Sequence, residues 1–315
     1  MRAAVCTRYG PPEVLELREV PDPVPRADEI LVRVHASAVT SSDWFIRSSV
    51  PHAPITTRVA MRLLVGITAP RQRILGLILA GEVEEVGSSV TRFSTGDRVY
   101  AFTKFHFGAY AEYTCLRESS TVAIAPADLG HAEAASIPYG GLLALHYLRK
   151  GRVGEGPTVL VYGASGGVGT SAVQLARHLG AQVAGVCGPS NVELVRSLGA
   201  DPVIDYTTTS ALAPEQRFDL VFDAVGERKT SALKESARAA LTPGGRYVSV
   251  DDGRPDLPAS DLEYLTGLAE SGALEPVIDR RYPLEVIVEA HRYVEGEHKR
   301  GNVFITIAHP VAGGD

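Results

Sequence analysis

A chain of 315 residues exceeds one layered domain of about 150 residues and points to two. Its 45% hydrophobic and 22% charged residues match a globular composition and exclude a disordered or collagen-like chain. Thirty-one basic residues against 37 acidic ones leave a net charge of −6, so neither nucleic acid nor an anionic membrane is an expected partner and a small molecule is.

In chain order, the first 125 residues read as short β segments between turn signals: Arg2–Cys6, Ile30–Val34, Gly81–Val86 and Arg98–Ala101. Met1–Val5 runs into Cys6-Thr7-Arg8 without the apolar core of a signal peptide. The longest strongly apolar run, Ile74–Ala80, is far below the roughly 18 residues that span a bilayer. Cys6, Cys115 and Cys187 lie far apart with no CxxC spacing, which fits a reducing compartment, so the expectation is a soluble cytoplasmic protein. Asp43 and Arg47 stand four residues apart, the spacing of a helical ion pair. Arg58, Arg62, Arg71 and Arg73 flank the apolar runs Val59–Met61 and Leu63–Val65, a candidate helical lid that suggests a hydrophobic substrate.

From Pro157 the pattern alternates: strand Val159–Tyr162, helix Gly167–Leu179, strand Val183–Cys187, helix Asn191–Leu198, strands Pro202–Asp205 and Phe218–Asp223, a helix ending near Leu241, and strand Arg246–Val250. Strands alternating with helices require right-handed crossovers and a parallel sheet, hence an α/β fold. Residues 251–260 are rich in Pro and Asp and cannot add a strand, which limits that sheet to five. A helix over Leu284–Val294 and a β segment over Val303–Ile307 are expected to return to the first module.

Between the strand ending at Tyr162 and the next helix, Gly163, Ala164, Ser165, Gly166, Gly167, Val168 and Gly169 form a GxxGGxG turn. Glycine there permits a tight turn and close approach to a pyrophosphate, while the N–H groups of the helix start face the anion. The strand before and helix after make this a dinucleotide site rather than a chance match. The choice of dinucleotide rests on the end of the second strand, where an NAD site would place an acid. Cys187-Gly188-Pro189-Ser190-Asn191 has no carboxylate; Ser190 and Asn191 can bond a 2′-phosphate, which favours NADPH. Asp223-Ala224-Val225-Gly226 closes a further strand at the same carboxyl edge, and Val225 and Gly226 are expected against ribose or adenine.

Tyr9–Leu15, Gly76 with Gly81–Gly87, Gly96–Val99, Gly108–Tyr113, Tyr162–Gly169 and Gly199–Tyr206 together resemble the zinc-free quinone oxidoreductase and enoyl reductase branch of the medium-chain dehydrogenase/reductase superfamily. The resemblance covers residues 1 to about 308. It implies a GroES-like β-rich substrate domain from 1–125 and 273–315, a doubly wound Rossmann NADP-binding domain of about five strands from 126–272, and an active site in the cleft. It further implies that Tyr206 recognises the 2′-phosphate and that Lys299–Val303, through Gly301 and Asn302, closes on the pyrophosphate and nicotinamide. Zinc-dependent relatives carry Cys where this chain has Thr40 and His-Glu where it has Leu77-Ile78, and no CxxCxxC run is present, so no metal is expected. Phe45 and Leu143 replace a Tyr and a Thr of the usual site, and Thr40 an Asn, which leaves Thr40 and Tyr139 as donors to a developing enolate or phenolate oxygen. Water is the alternative proton source, and Tyr139 alternatively packs. His106, between Phe105 and Phe107, is a mouth or loop residue. The missing edge strand argues for a monomer or an atypical dimer. The expected function is NADPH-dependent, zinc-independent reduction of a quinone or α,β-unsaturated carbonyl. The alternatives are an aldehyde or ketone reductase and a non-catalytic NADPH-binding regulator.

Overall fold

The computed structural model describes residues 1–49, 55–153, 156–227, 229–296 and 299–309. The chain divides into two compact units, Met1–Pro138 with Ile278–Asp315, and Tyr139–Val277. No helix among the described residues is long and apolar enough to cross a membrane.

The first unit begins with β1 (Arg2–Cys6), β2 (Leu15–Glu19), β3 (Glu29–Val39), α1 (Ser41–Ser48), α2 (Ile55–Val65), β4 (Ile78–Val86), β5 (Arg98–Phe102), β6 (Tyr113–Arg117), β7 (Thr121–Ile124) and α3 (His131–Ala135). On β3 the residues Ile30, Val32, Val34, Ala36 and Ala38 are all buried, the period-two signature of a strand with one core face. The apolar run alone suggested a strand over 30–34; β3 continues to Val39 because Ser37 is paired inside the sheet, its Oγ donating to the Ile78 carbonyl at 2.7 Å. α3 packs on β3 and β4, which carries this unit to Pro138 rather than to the sequence-based boundary at 125.

The second unit holds α4 (Ile137–Gly151) from Tyr139 on, β8 (Thr158–Tyr162), α5 (Gly167–His178), β9 (Gln182–Cys187), α6 (Val192–Ser197), β10 (Val203–Asp205), β11 (Phe218–Asp223), α7 (Ala232–Ala239), β12 (Leu241–Ser249) and α8 (Ala259–Glu270). Its five strands are parallel in the order β10-β9-β8-β11-β12, as the alternation of strand and helix predicts. Residues 251–258 add no strand, so β12 remains an edge. Leu160, Val186, Val221 and Leu233 are fully buried in one apolar cluster, each contributing about 1.5–3 kcal/mol by leaving water.

The chain then supplies β13 (Ile278–Pro283), α9 (Ile287–Glu295) and β14 (Asn302–Thr306) to the first unit. Its main sheet runs β13-β14-β3-β4-β5-β7, with β6 also paired to β3. β13 is a polar edge strand, with Arg280 and Arg281 exposed, and its composition hides it from a hydrophobic pattern.

Candidate active site

Within the second unit, β8 delivers the chain into the glycine turn. Gly163 turns with φ 84°, and the Gly163 and Ala164 amides donate to the Val186 carbonyl at 3.0 and 2.9 Å, which locks the turn to β9. Gly166 is the N-cap of α5 with extended backbone, and its amide donates to the Gly163 carbonyl at 3.2 Å. No side chain caps α5, so its first N–H groups are left for an anion. A Cβ at Gly169 would lie 2.1 Å from the Gly163 carbonyl oxygen, while one at Gly166 meets nothing nearer than 3.6 Å. The two glycines therefore serve different ends: Gly169 lets helix and turn touch, and Gly166 leaves the approach from outside open. Gly140 of α4 is pressed to the same place, since a Cβ there would lie 2.2 Å from the Gly167 carbonyl oxygen.

The residues expected at a 2′-phosphate lie on the loops that follow β9 and β10. The Tyr206 ring lies over Gly188, with its hydroxyl 3.3 Å from where a Gly188 Cβ would stand, and the Tyr206 amide donates to the Cys187 carbonyl at 3.2 Å. Asn191 Nδ2 is 3.4 Å from Ser165 Oγ, joining this loop to the glycine turn. Ser190 and Tyr206 are exposed, and Asn191 is half-buried. Asp205, at the end of β10, is occupied by the amide and hydroxyl of Thr207, each at 2.8 Å. Cys187 is buried and its thiol pushed up to about 11 by desolvation, so it stays neutral.

Val225 and Gly226 follow β11, shaped by a buried group that sequence reasoning missed. Asp223 Oδ1 accepts from the Val225 and Gly226 amides, both at 3.1 Å. Its Oδ2 lies 2.8 Å from Lys234 Nζ and accepts from the Tyr247 hydroxyl at 2.7 Å. Lys234 Nζ also donates to the Gly226 carbonyl at 2.8 Å. Nothing local marks Lys234, which stands on a helix of otherwise mixed polarity; only the tertiary fold shows it 2% exposed.

Tyr139 opens this unit at the start of α4, half-buried, and Leu143 lies one turn on. In the first unit, Thr40 sits between β3 and α1 as an N-cap. Thr40 Oγ1 accepts from the Asp43 amide at 3.2 Å and donates to Asp43 Oδ2 at 2.6 Å, while Asp43 Oδ2 also accepts from the Thr40 amide at 2.9 Å. This capping box replaces the expected Asp43–Arg47 ion pair: Asp43 is nearer to Thr40, three residues back, and turns there. Arg47 is buried and instead meets Glu295, the Gly10 carbonyl and, at 3.3 Å, His291 Nδ1. Burial draws its guanidinium down to about 10 and holds the His291 imidazole near 3, hence neutral. Val303 of β14 pairs with Val39, which sets Asn302 and Thr40 at the same end of the sheet. Gly301 precedes with φ 58°, and its carbonyl accepts from Lys299 Nζ at 2.8 Å. α2 forms as expected and leaves Val59, Leu63 and Leu64 exposed; His106 is exposed on a short turn.

Burial raises the Asp43 carboxyl to about 6 from 3.8, against the opposing effect of the Thr40 bonds. The unfolded chain therefore ionises first, and the stability tied to the neutral acid is complete below about pH 4 and lost as pH rises through about 6. Asp43→Asn, which cannot titrate, is expected to gain on the wild type by up to about 3 kcal/mol between those limits. Urea unfolding at pH 4 and 7 measures it; a difference that does not change with pH refutes it.

The positions at which the resemblance would put a catalytic zinc's donors are Thr40, Leu77 and Ile78. Thr40 spends its hydroxyl on Asp43, and Leu77 and Ile78 are buried hydrocarbon.

A five-stranded parallel sheet with an uncapped, glycine-rich helix entry at its carboxyl edge defines a dinucleotide-binding protein. An alcohol dehydrogenase GroES-like domain model matches residues 26–127, and zinc-binding dehydrogenase models match 167–266 and 254–305. The 2-methylene-furan-3-one reductase of Solanum lycopersicum is 32% identical over 99% of this chain and 79% of its own length. The NADPH-dependent alkenal/one oxidoreductase of Arabidopsis thaliana is 31% identical over 97% and 79%. The quinone oxidoreductase structure from Coxiella burnetii superposes with a TM-score of 0.81 at 28% identity, covering 98% of this chain and 99% of that one. The chain belongs to the medium-chain dehydrogenase/reductase superfamily, in its quinone oxidoreductase-like branch, and is an oxidoreductase that uses a nicotinamide cofactor.

Proposed function

We propose that the protein is an NADPH-dependent, zinc-independent reductase of quinones or α,β-unsaturated carbonyls, working in the cytoplasm. The observation that carries the cofactor choice is the end of β9, where Tyr206 lies over Gly188, Asn191 reaches Ser165, and the loop 187–191 has no carboxylate to repel a phosphate, the neighbouring Asp205 being held by Thr207. The similar reductases named above act on alkenals and enones or on quinones, which supports the substrate class. The three cysteines are unpaired, as a reducing compartment requires.

Bound NADPH supplies the hydride. The chain does the rest. Amides of Gly167, Val168 and Gly169 at the entry to α5 hold the pyrophosphate, in the turn that Gly163–Gly166 shape; Ser190, Asn191 and Tyr206 donate to the 2′-phosphate; Val225 and Gly226 line the ribose and adenine; Gly301 and Asn302 close on the nicotinamide side. Negative charge develops on the substrate oxygen as the double bond is reduced, and Thr40 and Tyr139 are the donors assigned to it. Thr40 reaches that oxygen only by releasing Asp43. The exposed apolar face of α2 suits a hydrophobic substrate. The positions of the family's zinc donors, Thr40, Leu77 and Ile78, favour chemistry without that metal.

Following the near-ultraviolet absorbance of NADPH, and separately of NADH, across quinones, enones and aldehydes tests this. Turnover with NADPH and a quinone or enone, unaffected by chelator, is expected. Tyr206→Ala should raise KM for NADPH about tenfold, the equivalent of one lost hydrogen bond to a charged group, and leave NADH unchanged. Turnover of aldehydes alone would assign a carbonyl reductase, and cofactor binding without turnover a regulator.

A further inference from the structure

The first unit assembles another polar group, away from Thr40 and five residues before it on β3. His35 comes from β3, Glu82 from β4 and His131 from the start of α3, and one ligand atom from each lies within 4.8 Å of the others. His35 Nε2 is 3.8 Å from Glu82 Oε2, and His131 Nε2 is 3.9 Å from Glu82 Oε1, both too long for hydrogen bonds. The two imidazoles stack at 4.3 Å with their planes 16° apart. His35 Nε2 and His131 Nδ1 are buried without any hydrogen-bond partner. Two half-buried imidazoles, each with one buried and unspent nitrogen, cost the fold desolvation that the protein itself does not return.

Arg33 donates to Glu82 Oε2 at 3.0 Å and reaches Glu84 at 3.2 Å, which fixes the carboxylate and leaves Oε1 turned to His131. Arg98 and Glu133 are the other charges felt by His131. His309 stands edge-on to His35 at 5.1 Å, and its Nε2 meets the Val34 carbonyl at 2.8 Å.

We propose that His35, Glu82 and His131 bind one divalent transition-metal ion of the zinc class, with water at the fourth corner. Neutral imidazoles and a carboxylate are the donors such ions select, while magnesium and calcium prefer sites built of oxygen. In a tetrahedral site with bonds of about 2.0–2.1 Å the ligand atoms stand about 3.3 Å apart, so the two gaps to Glu82, 3.8 and 3.9 Å, close by about half an ångström and the stacked rings splay toward the ion. The ion staples β3, β4 and α3 together. It has no part in hydride transfer, and it stabilises the folded chain by binding that state alone.

Chelator-stripped full-length protein is titrated with zinc chloride by calorimetry, with a thermal melt at each end point and magnesium chloride as control. One zinc per chain with a higher Tm, and no response to magnesium, is expected. His35→Ala and His131→Ala should each weaken binding at least tenfold and abolish the Tm gain; His131→Gln serves should the alanine variant unfold. Cobalt substitution should produce the visible bands of a tetrahedral site in the wild type and lose them in His131→Gln. Absence of zinc binding, or binding of unchanged strength in both histidine variants, overturns the assignment.

Discussion

Gly169→Ala is expected to lose NADPH binding altogether and to lower stability by about 1–3 kcal/mol, the usual cost of forcing extra atoms into a packed site. The added Cβ would stand 2.1 Å from the Gly163 carbonyl oxygen and 2.8 Å from Ala164 Cα, so the backbone itself must part. The Gly163 and Ala164 amides are anchored to Val186 on the other side, which leaves α5 as the element that moves. A displaced α5 carries its N–H groups away from the anion they are aligned to meet, and misplacement of about 1 Å already costs on the order of a hundredfold. Gly166→Ala is the informative control. With nothing nearer than 3.6 Å and a φ of −78°, it should fold as the wild type does and still bind NADPH poorly, because its methyl group occupies the approach to the turn. Circular dichroism melts and fluorescence titration separate the two variants. A Gly169→Ala protein with wild-type affinity would falsify the assignment of this turn.

Lys234→Met should cost about 3–5 kcal/mol of stability and weaken the cofactor as well. Asp223 is fully buried and Lys234 2% exposed, and removing one partner of such a pair leaves the other charge without water or counterion. Tyr247 and the Val225 and Gly226 amides can hold part of the charge on Asp223, but Nζ also anchors the Gly226 carbonyl, so the turn after β11 loses a fixed point. Asp223→Asn combined with Lys234→Met should cost well below the sum of the two single changes, since the second change removes the charge that the first stranded. Guanidinium unfolding of the four proteins completes the cycle. Additive losses would show that the pair is not a unit.

These residues also mark where the sequence stops being legible. The glycine turn reads directly because its constraints are local: tight backbone, strand before, helix after. The absence of a carboxylate after β9 reads for the same reason, as does the five-stranded limit, since Pro and Asp in 251–260 exclude a ladder. Lys234 looks like any exposed helical lysine until burial is known. Asp43 admits two partners within one helical turn, and the choice of Thr40 over Arg47 depends on Glu295, His291 and Gly10 drawing the guanidinium away. β13 is obscured by arginines at an edge. His35, Glu82 and His131 come from three elements, and only the pairing of β3 with β4 and the packing of α3 brings them side by side.

The place of β14 bears on how the protein is made. β14 sits between β13 and β3, yet it emerges from the ribosome only after the whole unit 139–277, whose own sheet is built from consecutive segments. That second unit can therefore close while translation continues, whereas the end of β3 that β14 covers, Ala36–Val39, waits with an unpaired edge. A stalled or truncated product keeps that edge open to other chains and to proteases, so sealing of the sheet distinguishes a finished polypeptide from an abandoned one.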